Sequence, residues 1–183
     1  LCRAEHAETV ANMASFGTRH IINPFEKFGE YMALALHSPA AYHLLLWLTG
    51  LPGTTITRHR EPPAGKWVLC GYGSFGRVMT QALEGAGLPV TIIDRAPPID
   101  PSHTWIKGDG TGVEALRAAG IADAVGIVAA TANDVNNLST VVTARELNPR
   151  LFTVLRQNHV ANHTLFEAFE SDFAIVPSEI VAH

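Results

Sequence analysis

The feature that most restricts the fold of this chain is an apolar segment that runs directly into three closely spaced glycines. The segment is WVLCGYGSFGR at residues 67–77, and Gly71, Gly73 and Gly76 have the spacing G-x-G-x-x-G. A buried strand that turns into a helix through such a loop is typical of the first unit of a dinucleotide-binding sheet. The segment therefore predicts a parallel α/β fold with a phosphate site where the helix begins.

Strands and helices alternate over the C-terminal two thirds of the sequence. We predict strands at 68–70, 89–94, 104–107, 125–129, 151–155 and 173–176, and helices at 75–84, 113–119, 134–147 and 159–170. Short apolar strands separated by helices of this length favour a parallel sheet that is covered on both faces. With right-handed crossovers, the predicted fold class is α/β, a doubly wound, Rossmann-like sheet.

The start of the chain resembles a later part of it. Residues 1–26 and 154–179 share six identities without a gap. We interpret 1–26 as the strand–helix–strand end of a preceding Rossmann-like copy. Residues 27–65 are then a helical crossover and dimerisation segment that ends in a polar linker, and 66–183 form one nearly complete domain. Since the chain does not begin with methionine, we expect it to be a piece of a longer protein.

Composition and charge argue against several classes of protein. The formal net charge of −4 provides no basic stripe for nucleic acid. The two cysteines, Cys2 and Cys70, lie far apart, which indicates a buried free thiol at Cys70 and a reducing cytoplasm. The most apolar stretch, residues 40–51, is shorter than the roughly 20 residues of a membrane-spanning helix. We predict a packing or interface helix there.

Each part of the glycine loop has a physical role in nucleotide binding. Gly71 permits the tight turn, Gly73 lets a pyrophosphate approach the backbone, and Gly76 lets the helix pack against the strand. The helix N-terminus offers N–H groups and a partial positive charge to phosphates, and Ser74 and Arg77 are placed to assist. The loop residues that we predict to contact the ligand are Gly71, Tyr72, Gly73, Ser74, Phe75, Gly76 and Arg77.

An acidic residue closes the next predicted strand. Asp94 lies 18 residues after Gly76, where a carboxylate can accept hydrogen bonds from both hydroxyls of a ribose. The same carboxylate would repel a 2′-phosphate, which favours NAD or an adenosine nucleotide over NADP. Arg95 opposes this second argument, because an arginine can accommodate a 2′-phosphate. The simpler interpretation of Asp94 is a solvated residue at a strand end.

Two further polar loops follow strands at the same predicted edge of the sheet. Asp109, in GDGT at 108–111, is predicted beside the adenine amino group, and Thr131, in TANDVNN at 131–137, is predicted to line the cleft. Each loop has a simpler role as well, which is to cap the helix that follows it. For the first loop the capping residue would be Asp109 or Thr111.

These segments together resemble the RCK domain, the regulator of potassium conductance, which is also called the KTN or TrkA-N domain. The resemblance rests on GYGSFGR, Asp94, GDGT, ATANDVNN, ARELNP and IVPSEIVA, and it covers about 66–183, with 1–26 as the tail of a preceding copy. It implies a regulatory, non-enzymatic domain with a Rossmann cleft for NAD or NADH, or for ATP, ADP or AMP. Many members have an arginine at the position of Ser74, so phosphate affinity here is either lower or supplied by Arg77.

The resemblance also implies partners and a location. Domains of this family act in the cytoplasm, at the inner face of the membrane, on a potassium channel or transporter to which they are fused or bound. The nucleotide changes the arrangement of paired domains and so gates ion flux. The implied homodimer or higher oligomer would form through residues 24–50, although the apolar helical segment 28–50 would equally suit the core of one chain.

Three other interpretations remain beside this one. A fragment of an NAD-dependent oxidoreductase would need a residue for proton transfer, and the chain has no Tyr-x-x-x-Lys pair. A Rossmann-like scaffold that binds no ligand would serve only for dimerisation. His159 and His163 have the i, i+4 spacing of metal ligands on a predicted helix, but without a third ligand they are better explained as polar residues of a helix face.

Overall fold

A six-stranded, all-parallel sheet is the centre of the computed structural model, which describes residues 2–3, 9, 21–38, 40–42, 61–96, 102–169 and 171–175. In chain order the strands are β1 (Cys2–Arg3), β2 (Ile21–Ile22), β3 (Trp67–Cys70), β4 (Val90–Asp94), β5 (Thr104–Lys107), β6 (Gly126–Ala129), β7 (Phe152–Arg156) and β8 (Phe173–Ile175). The main sheet has the order β5-β4-β3-β6-β7-β8, and every neighbouring pair in it is parallel. This order reverses direction between β3 and β6, which is where ligands bind in doubly wound sheets.

Five α-helices accompany the strands within the described residues. They are α1 (Pro24–His37), α2 (Ser74–Gly85), α3 (Val113–Ala118), α4 (Asp134–Leu147) and α5 (His163–Ala168), with short 3₁₀ turns at Ile121–Asp123 and Val160–Asn162. The predicted strands and helices between residues 66 and 156 have ends that differ from these by at most one residue. The prediction of one continuous helix over 159–170 was wrong, because the chain there forms a 3₁₀ turn followed by the short α5.

The physical reason for the shorter helix is a contact with a distant carboxylate. The backbone N–H groups of Asn158 and His159 donate to the side chain of Asp134, at 2.6 and 3.0 Å. These bonds fix residues 158–159 in a loop, and His159 has an extended backbone that no helix contains. The helix therefore begins only after the loop has passed Asp134.

Both faces of the main sheet are covered, as expected of a doubly wound fold. On one face, α2 packs through Phe75, Met79 and Leu83, and α1 packs beside it. On the other face the buried residues come from α3, α4 and α5 and include Leu116 and Phe166. Because apolar side chains alternate between the two faces of β3, Leu69 belongs to the first core and Val68 to the second.

Helix α1 is part of the core of this chain. Its residues Phe25, Phe28 and Met32 are buried against the sheet and α2, and the rings of Phe25 and Phe28 lie 5.6 and 5.8 Å from that of Phe75. The apolar face of α1 therefore packs within this chain, whereas dimerisation through residues 24–50 stays a prediction. Residues 43–51 lie outside the described part of the chain, and among the described residues no helix has the length and apolar character to cross a membrane.

The two short N-terminal strands form a separate parallel sheet. In it, Cys2 is the partner of Ile21 and Arg3 is the partner of Ile22. Adding 153 to these four numbers gives the pairs 155 with 174 and 156 with 175, which are partners in β7 and β8. The prediction that 1–26 repeat a later part of the chain stays a prediction, because most residues between β1 and β2 lie outside the described part.

The contact between β3 and β6 supplies a test of the core. Gly126 is the strand partner of Trp67, and a Cβ at Gly126 would lie 2.6–2.7 Å from three carbons of the fully buried indole. We expect Gly126→Ala to lower the free energy of unfolding by about 1–3 kcal/mol, since a close-packed core cannot absorb the added methyl group. Urea denaturation measures this difference. The control is Gly85→Ala at the open end of α2, and equal stability of the two variants would contradict the expectation.

Candidate functional site

A cleft of about 680 Å³ opens at the carboxyl edge of the main sheet, at the point where the strand order reverses. Loops after four strands, the end of β7 and the start of α1 surround it. The lining residues are Phe25, Gly71, Tyr72, Gly73, Ser74, Ile93, Asp94, Arg95, Gly108, Asp109, Gly110, Ala130, Thr131, Ala132, Asn133, Asn136 and Arg156. Clefts of about 300–1,000 Å³ bind ligands of nucleotide size.

The three glycines of the loop have different surroundings. Gly71 has a φ of +95°, which side chains rarely adopt, and a Cβ at Gly76 would lie 2.1 Å from the carbonyl oxygen of Gly71. Gly73 has an ordinary φ of −76°, and a Cβ there would meet nothing within 4 Å. Gly71 and Gly76 are therefore required by the fold, whereas Gly73 leaves space in the cleft for a ligand.

The start of α2 faces the cleft. Gly73 is its N-cap and makes no side-chain hydrogen bond to the first turn, and Ser74 lines the cleft. Phe75 does not line it, because its side chain is fully buried in the core. Arg77 also lies outside the lining, with its guanidinium carbon 6.0 Å from the ring centroid of Tyr72. Of the seven predicted loop contacts, the structure brings Gly71, Tyr72, Gly73 and Ser74 to the cleft, and not Phe75, Gly76 or Arg77.

Asp94 joins the end of β4 to the glycine loop. One carboxylate oxygen accepts a hydrogen bond from the backbone N–H of Tyr72 at 2.8 Å, and the other accepts from the N–H of Ala96 at 2.9 Å. The side chain is half-buried and lines the cleft, so it is more than a solvated strand end. A carboxylate oxygen can accept more than one hydrogen bond, so each oxygen of Asp94 has capacity left for a ribose hydroxyl.

Arg95 and Asp109 form an ion pair at the same end of the cleft. The backbone N–H and hydroxyl of Thr111 also donate to Asp109, at 3.1 and 3.0 Å. The Thr111 backbone N–H and then Arg95 hold the pKa of the Asp109 carboxyl below its ordinary value. The capping role considered for Asp109 and Thr111 was wrong, since the N-cap of α3 is Gly112 and makes no side-chain bond.

Thr131 lines the cleft and is held in place by the buried side-chain amide of Asn137. The side-chain oxygen of Asn137 accepts from the backbone N–H of Thr131 at 2.9 Å and from its hydroxyl at 2.6 Å. The Asn137 amide then donates to the carbonyl oxygens of Thr131 and Arg156, at 2.9 and 2.7 Å. Asn137 is fully buried and so fixes the ends of β6 and β7 relative to each other. The cap of α4 is not Thr131 but Asn133, which accepts from Asn136 N–H.

A second buried polar group, Asp134, fixes the loop after β7. Its carboxylate is 5% exposed and accepts four hydrogen bonds, two from Asn158 and one each from His159 and Asn162, at 2.6–3.0 Å. Burial works against ionisation of this carboxyl, but the donors outweigh burial and the pKa is lowered. Asp134 therefore ties the loop after β7 to the start of α4.

Among the lining residues that the sequence did not predict as contacts are Phe25 and Arg156. Arg156 is the last residue of β7, and its guanidinium carbon lies 4.6 Å above the centroid of the Phe25 ring. The rule that strand ends meet at one edge of a parallel sheet was enough to find Arg156. No comparable signal existed for Phe25, because α1 is separated from β3 by about 30 residues of sequence.

His159, His163 and Cys70 do not line this cleft. His159 precedes the 3₁₀ turn and His163 begins α5, so they do not share one helix face as predicted. Within the described ranges, no group of three or more His, Cys, Asp or Glu side chains could bind a metal ion. Burial raises the pKa of the Cys70 thiol to about 12, which makes it an unreactive core residue, as predicted for a free thiol.

The sheet order, the glycine loop and the acid that closes β4 define a Rossmann-type nucleotide-binding domain. Comparison with known proteins identifies the family: the chain belongs to the TrkA-N domain family, which matches residues 67–177. The predicted RCK or TrkA-N identity is thus confirmed. This family is regulatory and non-enzymatic, which argues against the oxidoreductase alternative.

Three similar proteins illustrate the family. Potassium channel protein 1 of Methanocaldococcus jannaschii is 29% identical over 97 residues, which are 49% of this chain and 29% of that protein. The GsuK channel bound to NAD is 28% identical, with a TM-score of 0.58 over 66% of this chain and 22% of that one. The C-terminal domain of Shewanella denitrificans Kef in its AMP-bound form is 31% identical, with a TM-score of 0.53 over 59% and 69%. The chain spans 18–56% of the lengths of curated relatives of this kind.

Proposed function

We propose that the cleft binds NAD, NADH or an adenine nucleotide, and that this binding regulates a potassium channel or transporter from the cytoplasmic face of the membrane. The observation that carries the proposal is the open space at Gly73, between the start of α2 and the carboxylate of Asp94. Similar domains support it, since the GsuK and Kef structures contain NAD and AMP. The similarity to a potassium channel supports the kind of partner.

In this proposal, the polar residues that line the cleft bind different parts of the nucleotide. The backbone N–H groups of the glycine loop and the start of α2 receive the phosphates, helped by the Ser74 hydroxyl. Asp94 binds the ribose, and Asp109 lies on the adenine side with Thr131 farther along the cleft. Arg95 is already paired with a carboxylate, which weakens its attraction for a 2′-phosphate and favours NAD over NADP.

In this proposal, helix α1 transmits the effect of ligand binding from the cleft to the paired domains. Phe25 lines the cleft and belongs to this helix, which is packed in the core of its own domain, so a ligand that contacts Phe25 favours those arrangements of paired domains that keep the contact. We place residues 24–50 at the oligomer interface that transmits the change, through surfaces other than the face of α1 buried in this chain. The register shared by β1–β2 and β7–β8 supports a preceding Rossmann-like copy as the source of α1.

The proposal predicts a ligand-dependent rise in thermal stability that requires Asp94. A nucleotide at 100 times its dissociation constant adds about 2.7 kcal/mol, or roughly 5–10 °C in Tm for a chain of this size. We expect Asp94→Ala to abolish the shift, because it removes both the ribose contact and the bond to Tyr72 N–H. Asp94→Asn, which retains an oxygen for that N–H, should keep part of it. Differential scanning fluorimetry with NAD, NADH, NADP, ATP, ADP and AMP measures both.

The control for this experiment is Asp123→Ala, which removes an exposed carboxylate that does not line the cleft. Its shift should equal that of the unaltered chain. A chain that no nucleotide stabilises would contradict the proposal and favour the scaffold interpretation. An undiminished shift in Asp94→Ala would locate the ligand somewhere other than this cleft.

A further inference from the structure

We propose that Arg156 and Phe25 make one end of the cleft a phosphate compartment, so that the site selects adenosine di- and triphosphates over dinucleotides. This inference rests on the proposed function, because it refines which nucleotide the cleft takes. It assigns Arg156 as a binding residue and Phe25 as the wall that limits the length of the ligand. No part of it follows from the glycine loop alone.

The two ends of the cleft have different lining residues. In doubly wound sheets a dinucleotide crosses the reversal point of the strand order, with one nucleoside on each side of it. The side of β4 and β5 contains Asp94 and Asp109, which suit an adenosine. The side of β6 and β7 would receive the second nucleoside, and there the lining includes Asn133, Asn136 and Arg156.

Arg156 gives this second side a fixed positive charge. Arginine is protonated at every physiological pH, and its planar fork matches the oxygens of a phosphate. The guanidinium stacks on Phe25 at 4.6 Å, an arrangement that orients the group while its N–H edges still point in the plane of the fork. Asp134, the acid that begins α4, does not line the cleft and accepts its hydrogen bonds from the loop after β7.

Phe25 closes the same side. Its ring is 1% exposed, and it is packed between Arg156 and Phe75 at 4.6 and 5.6 Å. Because α1 is fixed in the core by Phe28 and Met32, this wall cannot retreat without loss of packing. A second ribose and base would need the space that Phe25 occupies. The nicotinamide ring of oxidised NAD is also cationic, so Arg156 would repel it, whereas a β-phosphate would gain a partner.

Isothermal titration calorimetry with ADP, AMP, NAD and NADH tests this selectivity. We expect the unaltered chain to bind ADP at least about 10-fold more tightly than NAD, with NADH between the two. Arg156→Gln should weaken ADP binding about 10- to 100-fold, the range for a charge-assisted hydrogen bond, and change AMP binding less than about threefold. The matched control, Arg117→Gln, removes an exposed arginine of α3 and should change neither.

A second variant tests the wall. Phe25→Leu retains an apolar side chain but removes the ring, so we expect the ratio of NADH to ADP affinity to rise about threefold or more, in chains shown to be folded by circular dichroism. Equal affinities for ADP and NAD, or equal losses for ADP and AMP in Arg156→Gln, would overturn this inference and leave the proposed function intact. Absence of binding by all four nucleotides would overturn both.

Discussion

Replacing Gly73 by valine is expected to weaken nucleotide binding by at least about 100-fold while the domain keeps its fold. The backbone at Gly73 is one that any residue adopts, and a Cβ there would meet no protein atom within 4 Å. The open space is the cleft itself, where a branched side chain would keep phosphates from the N–H groups at the start of α2. The loss of two charge-assisted hydrogen bonds, at about 1.5–3 kcal/mol each, corresponds to 100-fold or more.

The matched control for this variant is Gly85→Val, at the opposite end of the same helix. A Cβ at Gly85 would also meet nothing within 4 Å, so both variants place the same side chain at an open end of α2. Calorimetric titration and urea denaturation of the two separate an effect on binding from an effect on folding. Normal binding by Gly73→Val would mean that the phosphates do not approach this loop.

Gly76 would be a misleading position for the same experiment. A Cβ at Gly76 lies 2.1 Å from the carbonyl oxygen of Gly71, so any side chain forces the loop away from α2. Loss of binding in a Gly76 variant would then report a distorted loop rather than an occupied cleft. The spacing of the three glycines does not distinguish them. Their surroundings show that Gly73 faces the open cleft and that the fold requires Gly71 and Gly76.

The sequence was sufficient for the sheet because each strand is a short apolar run with a clear boundary. Trp67–Cys70 and Val90–Asp94 are bounded by glycine, proline or polar residues, and burial on both faces of a parallel sheet requires such continuous apolar runs. The loop geometry at Gly71 and the placement of Asp94 also follow from local sequence, since both depend on residues adjacent to a strand end. Local patterns therefore predicted the side of the cleft that β4 and β5 form.

The other side of the cleft depends on contacts between residues that are distant in sequence. Asn137 bonds to Arg156 across 19 residues, and Asp134 bonds to Asn158 across 24. In the sequence, Asp134 and Asn137 look like ordinary residues of a helix start. Phe25 comes from a helix that precedes the matched family region altogether. Periodicity and spacing describe neighbours along the chain, so they could not show which partners these side chains would find.

Asp134→Ala is expected to cause a large loss of stability, about 2–4 kcal/mol in the free energy of unfolding. The substitution leaves the N–H groups of Asn158 and His159 and the amide of Asn162 without their acceptor in a buried loop. An unsatisfied buried donor costs about 1–3 kcal/mol, and relaxation of the loop toward water recovers part of the total. Urea denaturation at pH 7 measures the loss, and Asp123→Ala, at an exposed acid, should change stability by less than about 0.5 kcal/mol.

The contribution of Asp134 should also depend on pH in one direction. Because its folded pKa is lowered below the unfolded value of about 3.9, the native state favours the ionised form. The stabilisation is therefore complete above about pH 5 and is lost as the pH falls through the folded pKa. We expect the stability difference between the unaltered chain and Asp134→Asn to be largest from pH 5 to 8 and to shrink steadily below pH 4. The comparison separates this residue from Asp109, whose pKa is also lowered but which both chains share. Parallel pH profiles would show that the loop after β7 is fixed by the shape of Asp134 and not by its charge.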